Sequence, residues 1–214
     1  MHPAAHFRPN MSPEAGRALL ESLIDEIGFG MIFAATPDGP RVAHTPMLRA
    51  ANGALQFHLS RGNALTKHIS GATALAVLNG PDGYVSPRWY GDDGQVPTWN
   101  YVTLELEGTV RRIDQDALVA VLEALSARQE ARVIGGEPWT MAKMPGGLLG
   151  RMLGDITGFE LDVQTWRPTF KLSQNKTADE RARVAEGLEA QGSAGIAALM
   201  RSLVSDEPPQ GAKA

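Results

Sequence analysis

Arg61 and Lys67 stand where an alternating apolar run, residues 54–59, gives way to a short helix-like run, residues 64–69. Cationic side chains and free backbone N–H groups at a helix start are what a bound anion such as a phosphate requires. On spacing alone the pair also reads as two solvated loop charges, because charged residues are mostly exposed. A second cluster is aromatic. Trp89, Tyr90, Trp99 and Tyr101 fall close together in a chain that is 6% aromatic, separated by the acidic Gly91-Asp92-Asp93-Gly94. Such rings could clasp a planar ligand, and they serve equally as core or interface aromatics.

Other chemistries find little footing. The chain has no cysteine, which excludes disulfides, thiolate metal sites and thiol catalysis. His2, His6, His44, His58 and His68 show no helical i, i+4 pair with a glutamate, so no dedicated metal site is expected. Gly-x-Ser-x-Gly is absent, and no Ser/His/Asp arrangement is legible. Gly28 and Gly30 lack the third glycine and following helix of a dinucleotide fingerprint. No side chain is assigned a catalytic role.

The elements that must hold these residues follow from pattern. Ser12-Pro13-Glu14 predicts an N-cap, a first-turn proline and a helix over residues 13–26. Residues 28–35 read as a strand, Thr36-Pro37-Asp38-Gly39 as a turn and residues 41–48 as a second strand. Asn52-Gly53 closes another hairpin into the third strand, and His58 is expected to face His44 across that sheet. Residues 73–78, apolar at nearly every position, predict a strand covered on both faces. Val102, Leu104, Leu106, Gly108 and Val110 alternate with polar residues in the longest clean strand pattern. Residues 115–128 carry a helical period, 158–163 a further strand, and 177–189 and 195–203 two more helices. Residues 206–211 read as a frayed tail. The expected fold is mainly β, a six-stranded antiparallel barrel with peripheral helices.

Five strings carry a family resemblance: His44-Thr45-Pro46-Met47-Leu48, His58-Leu59-Ser60-Arg61-Gly62-Asn63, Tyr84-Val85-Ser86-Pro87-Arg88-Trp89-Tyr90, Val96-Pro97-Thr98-Trp99-Asn100-Tyr101 and Lys171-Leu172-Ser173-Gln174-Asn175. In this order and spacing they resemble the PaiB family of FMN-binding negative transcriptional regulators, up to about residue 183. Ala64 replaces the family's proline, Gln129 a common histidine, and residues 91–95 lack an expected lysine.

The resemblance implies an FMN-binding split β-barrel over residues 1–175, with a helical appendage and flexible tail over 176–214. It implies that Ser60, Arg61, Asn63 and Lys67 hold the FMN phosphate, with Arg61 able to pair two oxygens and Lys67 acting as a point charge. It places His44, Thr45, Pro46 and Met47 alongside the isoalloxazine ring, Met47 as a soft contact. Trp99, Asn100 and Gln174 would complete a site shared between two protomers of a homodimer. The implied role is a redox sensor or regulator acting through DNA or a partner protein. A flavin reductase or pyridoxamine-phosphate-oxidase-like oxidoreductase is the alternative, and a haem-binding or haem-degrading split barrel stands further off.

Bulk composition limits these roles. Lys and Arg total 20 against 24 Asp and Glu, a formal charge of -4, which argues against an extended electrostatic footprint on nucleic acid. No apolar stretch is long enough to span a bilayer, and the N-terminus lacks a basic region followed by an apolar run. No membrane association and a cytoplasmic location are the expectations.

Overall fold

The computed structural model describes residues 7, 12–91 and 94–203. The chain begins with helix α1 (Pro13–Ile27), where the Ser12 hydroxyl accepts from the Ala15 N–H at 3.2 Å, as the N-cap reading requires. Six strands follow: β1 (Phe29–Thr36), β2 (Gly39–Arg49), β3 (Leu55–Ser60), β4 (Thr73–Val85), β5 (Thr98–Arg112) and β6 (Ile156–Lys171). They close an antiparallel barrel in the order β1-β2-β3-β6-β5-β4. Helix α2 (Gln115–Glu130) and the short α3 (Leu148–Leu153) lie between β5 and β6, and α4 (Ala178–Ala190) and α5 (Ala194–Leu203) follow the last strand.

By internal contacts the chain divides into two compact units. The first comprises residues 21–78 and 105–166, the second the described residues of 1–20 together with 79–104 and 167–203. In the first unit, Phe57 and Phe159 stack at 5.6 Å among buried Ile32, Met47 and Leu161. Outside that core, α2 covers β2 through a cluster of Leu48, Val121 and Leu125. Asp25 near the end of α1 receives Arg49 at 3.1 Å and Arg128 at 2.9 Å, which ties α1 to β2 and α2. In the second unit, buried Leu188 and Ile196 join α4 to α5 and press on β4 at Gly83.

Three expectations change. Residues 64–69 form successive turns, not a helix: Asn63 Oδ1 accepts from the Leu65 N–H at 2.9 Å and Thr66 donates to the Ser60 carbonyl at 2.7 Å, so side chains satisfy groups a helix would have paired. Strand β4 does not stop at residue 78 but runs through Gly80-Pro81-Asp82-Gly83 to Val85. A side chain at Gly83 would meet Leu188 at 2.5 Å, so glycine here serves close packing and not a turn. His44 and His58 do not face each other. His44 pairs with Met31 of β1 and His58 with Gly158 of β6, because the β2–β3 register runs from Met47↔Phe57 to Arg49↔Leu55.

The expected tail at 206–211 and part of the loop at 91–95 lie outside the described residues.

Candidate functional site

The Arg61 corner belongs wholly to the first unit. Strand β3 ends at Ser60, whose carbonyl accepts from the Asn63 N–H at 2.9 Å and whose hydroxyl accepts from the Gly62 N–H at 3.3 Å. The Arg61 N–H donates to the Asp155 carbonyl at 2.8 Å, pinning the corner to the start of β6. Leu65 and Ile69, both fully buried, anchor its far side. Ser60 and Asn63 therefore spend their side chains on the turn itself. Arg61 and Lys67 are exposed, and neither side chain has a partner among the described residues. Two unpaired cations on a braced turn fit the phosphate of a nucleotide.

Arg61 also lines a cleft of about 410 Å³ with Arg112, Gln115 and Thr157; Lys67 is not part of this lining. Arg112 ends β5, and its side chain is likewise unpaired among the described residues. The carboxylate in the lining, Asp114, caps α2 by accepting from the Ala117 N–H at 2.8 Å. Gly158 in the same lining lets Ile113 approach β6 closely, since a Cβ there would stand 2.7 Å from Ile113. Sequence reading missed Arg112 as a site residue. Its signal, the basic pair Arg111-Arg112 closing an alternating strand, does not reveal which corner it approaches.

On β2 the pleat separates the four ring-strand candidates. His44 is exposed and Pro46 half-buried, whereas Thr45 and Met47 point into the barrel. Thr45 donates to the His58 carbonyl at 2.6 Å. Met47 is fully buried, and its sulfur would lie 3.2 Å from a Cβ at Gly30, so its side chain is spent on the core. His58 has a buried Nδ1 without a hydrogen-bond partner among the described residues, and burial holds its imidazole below the usual histidine range.

The remaining candidates lie in the second unit. Trp99 is 53% exposed and meets Tyr84 edge to face at 6.1 Å. Asn100 is fully buried, donating to the Ser173 hydroxyl at 2.9 Å and to Met200 Sδ at 3.3 Å. Gln174 turns back on its own backbone, accepting from the Leu172 N–H and donating to the Phe170 carbonyl. Of these three, Trp99 alone is exposed. Asn100 and Gln174 brace the strand ends. Among the described residues no group of three or more metal-ligating side chains occurs, and no helix is long and apolar enough to cross a membrane.

A family model described as "Putative FMN-binding domain" matches residues 1–165. The chain is 26% identical over 172 residues to the protease synthase and sporulation protein PAI 2 of Bacillus subtilis, covering 78% of this chain and 82% of that protein. Among solved structures it is similar to a FAD and heme binding protein from Mycobacterium smegmatis, with TM-score 0.60, 21% identity and coverage of 81% and 78% of the two chains. It is also similar to the conserved hypothetical protein Rv2991 from Mycobacterium tuberculosis, with TM-score 0.54, 14% identity and coverage of 80% and 91%. These two likenesses show the shared barrel fold.

Proposed function

The chain belongs to the FMN-binding family that its sequence matches, FMN is its cofactor, and from that premise we propose that it is a cytoplasmic homodimeric flavoprotein serving as a redox-responsive regulator of the PaiB type. The observation that carries the site assignment is the braced corner that leaves Arg61 and Lys67 unpaired among the described residues. There the phosphate is held by Arg61, through two hydrogen bonds, and by Lys67, as a point charge, with Ser60 and Asn63 fixing the turn. Bound FMN supplies hydride and single-electron transfer. The protein's share is binding and orientation. The β2 segment from His44 to Met47 lies along the ring, offering His44 and Pro46 outward and the backbone of Thr45 and Met47. Trp99 of the second protomer contacts the ring, on a strand end braced by Asn100 and Gln174. Residues 1–175 form the FMN-binding part, and 176–214 extend it with helices.

The test is a titration of FMN and riboflavin into wild type and Arg61→Ala. Losing a charge-assisted phosphate contact costs about 1.5–3 kcal/mol, roughly ten- to more than a hundredfold in affinity. Wild type should prefer FMN and the variant should lose that preference; equal affinity for both ligands in wild type removes the site. Light scattering at micromolar concentration should give twice the chain mass, and a monomer unchanged by FMN contradicts the shared site.

A further inference from the structure

The second unit holds a cleft of about 500 Å³ that the FMN reading touches only at Trp99, lined by Asp82, Tyr84, Ser86, Arg88, Trp89 and Trp99 together with the α4–α5 turn. Its volume falls within the usual range for small-molecule sites. We propose that this cleft binds a planar aromatic carboxylate, a ligand distinct from FMN.

Two features set the ligand's chemistry. Tyr84, 47% exposed, and Trp99 stand at 72° to one another, so together they offer one ring face and one ring edge. A flat aromatic guest can stack on one ring while meeting the other edgewise, the two geometries that aromatic quadrupoles favour. The second feature is Arg88. Its Nε donates to Ser86 Oγ at 3.3 Å, and Ser86 is itself 4% exposed, so a buried hydroxyl fixes the base of the guanidinium. The two terminal nitrogens of Arg88 have no partner among the described residues. A guanidinium fixed at Nε with both ends free is preorganised for a two-point bond to a carboxylate. Asp82, on the same lining, disfavours a second negative charge and sends the anionic end of the guest to Arg88.

The rear of the cleft is stiff. Trp89 packs on α4, where a Cβ at Gly187 would come within 2.4 Å of its ring, and Arg183 holds the Trp89 and Tyr90 carbonyls at 3.1 and 2.6 Å. The Ser86–Arg88 pair thus sits on a backbone fixed before any ligand arrives, which lowers the ordering cost of binding.

Calorimetric titration of naphthoate into the FMN-loaded full chain, with neutral naphthamide as control, tests the proposal. Naphthoate should bind about tenfold or more tightly than naphthamide, Arg88→Gln should erase that difference, and Asp82→Asn should tighten naphthoate severalfold. The opposite signs of the two variants separate charge recognition from a structural effect. FMN content should be the same in all three proteins. Absence of naphthoate binding, equal affinity for the two probes in wild type, or release of FMN in step with naphthoate uptake overturns the proposal, the last by showing that the cleft is the flavin's own. Failure to load FMN in the first place counts against the FMN site alone, since naphthoate can still be titrated into the flavin-free chain.

Discussion

Asn100 and Ser173 form a hydrogen-bonded pair inside the second unit, with the amide nitrogen 2.9 Å from the hydroxyl and Asn100 wholly enclosed. Among the described residues Ser173 alone combines a side chain with a left-handed backbone, at φ 60°. That conformation costs on the order of 1–3 kcal/mol and persists where the surroundings over-determine it. Here they do, because the same hydroxyl also meets Tyr90 and because Gln174 closes the turn from the other side. The last strand is thus stopped by side chains, and the turn that follows is fixed relative to the start of β5.

Asn100→Leu should therefore destabilise the protein by about 1–3 kcal/mol, since it removes bonds from a buried amide and leaves the Ser173 hydroxyl under-satisfied. Chemical denaturation gives the answer through the midpoint at constant slope. A change below a few tenths of a kcal/mol would mean that solvent reaches the pair.

Gly108 carries the strictest backbone requirement in the barrel. A Cβ built there would lie 1.8 Å from the Asp162 carbonyl oxygen and 2.7 Å from its carbon, so the obstruction is backbone and cannot swing aside. Gly108→Ala should cost about 3 kcal/mol or more or prevent folding, far beyond an ordinary surface substitution. Soluble yield and urea midpoint, compared with a control at Gly16, where a Cβ meets nothing, report the difference.

Alternation in β5 is legible because its inner residues, Val102 to Val110, are each buried while most of the outer ones are polar. The continuation of β4 is not, because Gly80-Pro81-Asp82-Gly83 carries every local mark of a turn. What overrides them is tertiary: Gly80 lies against Val102 and Gly83 against Leu188, and neither partner is near in sequence. The same limit applies to α3, whose Pro145-Gly146-Gly147 approach advertises a loop. At the site, Arg61 could be singled out from its corner, but not its sharing of a cleft with Arg112. Met47 shows the reverse limit. Its type suits a ligand contact, yet the pleat of β2 turns it inward.

His58 gives a pH dependence of definite sign. Burial lowers its folded-state pKa, so below about pH 6.5 the unfolded chain takes up a proton that the folded chain resists. The stability it supports is complete above that value and is lost as the pH falls towards the folded pKa. Melting temperature should drop between neutral pH and about pH 5.5, and His58→Gln should flatten that part of the curve. Parallel curves for the two proteins would assign the acid sensitivity elsewhere.

Direct affinity for DNA should be weak and steeply dependent on salt, so that the proposed regulation would run through a bound ligand or a partner protein. With 20 Lys and Arg against 24 Asp and Glu, few phosphates can be neutralised at once. Several cations are already committed: Arg49 and Arg128 to Asp25, Arg111 to Glu160 and Arg201 to Glu189. Helix α4 places Arg183 against backbone carbonyls and also carries Asp179, Glu180, Glu186 and Glu189, a poor surface for a major groove. Non-specific binders show dissociation constants of about 10⁻⁴ to 10⁻⁶ M at physiological salt, whereas specific repressors reach about 10⁻⁸ M or tighter. Binding to promoter and scrambled fragments at about 150 mM salt, with and without FMN, falls on one side of that gap or the other. Sequence-selective nanomolar binding in either state would show that a local patch outweighs the net charge, and that the protein itself reads the operator.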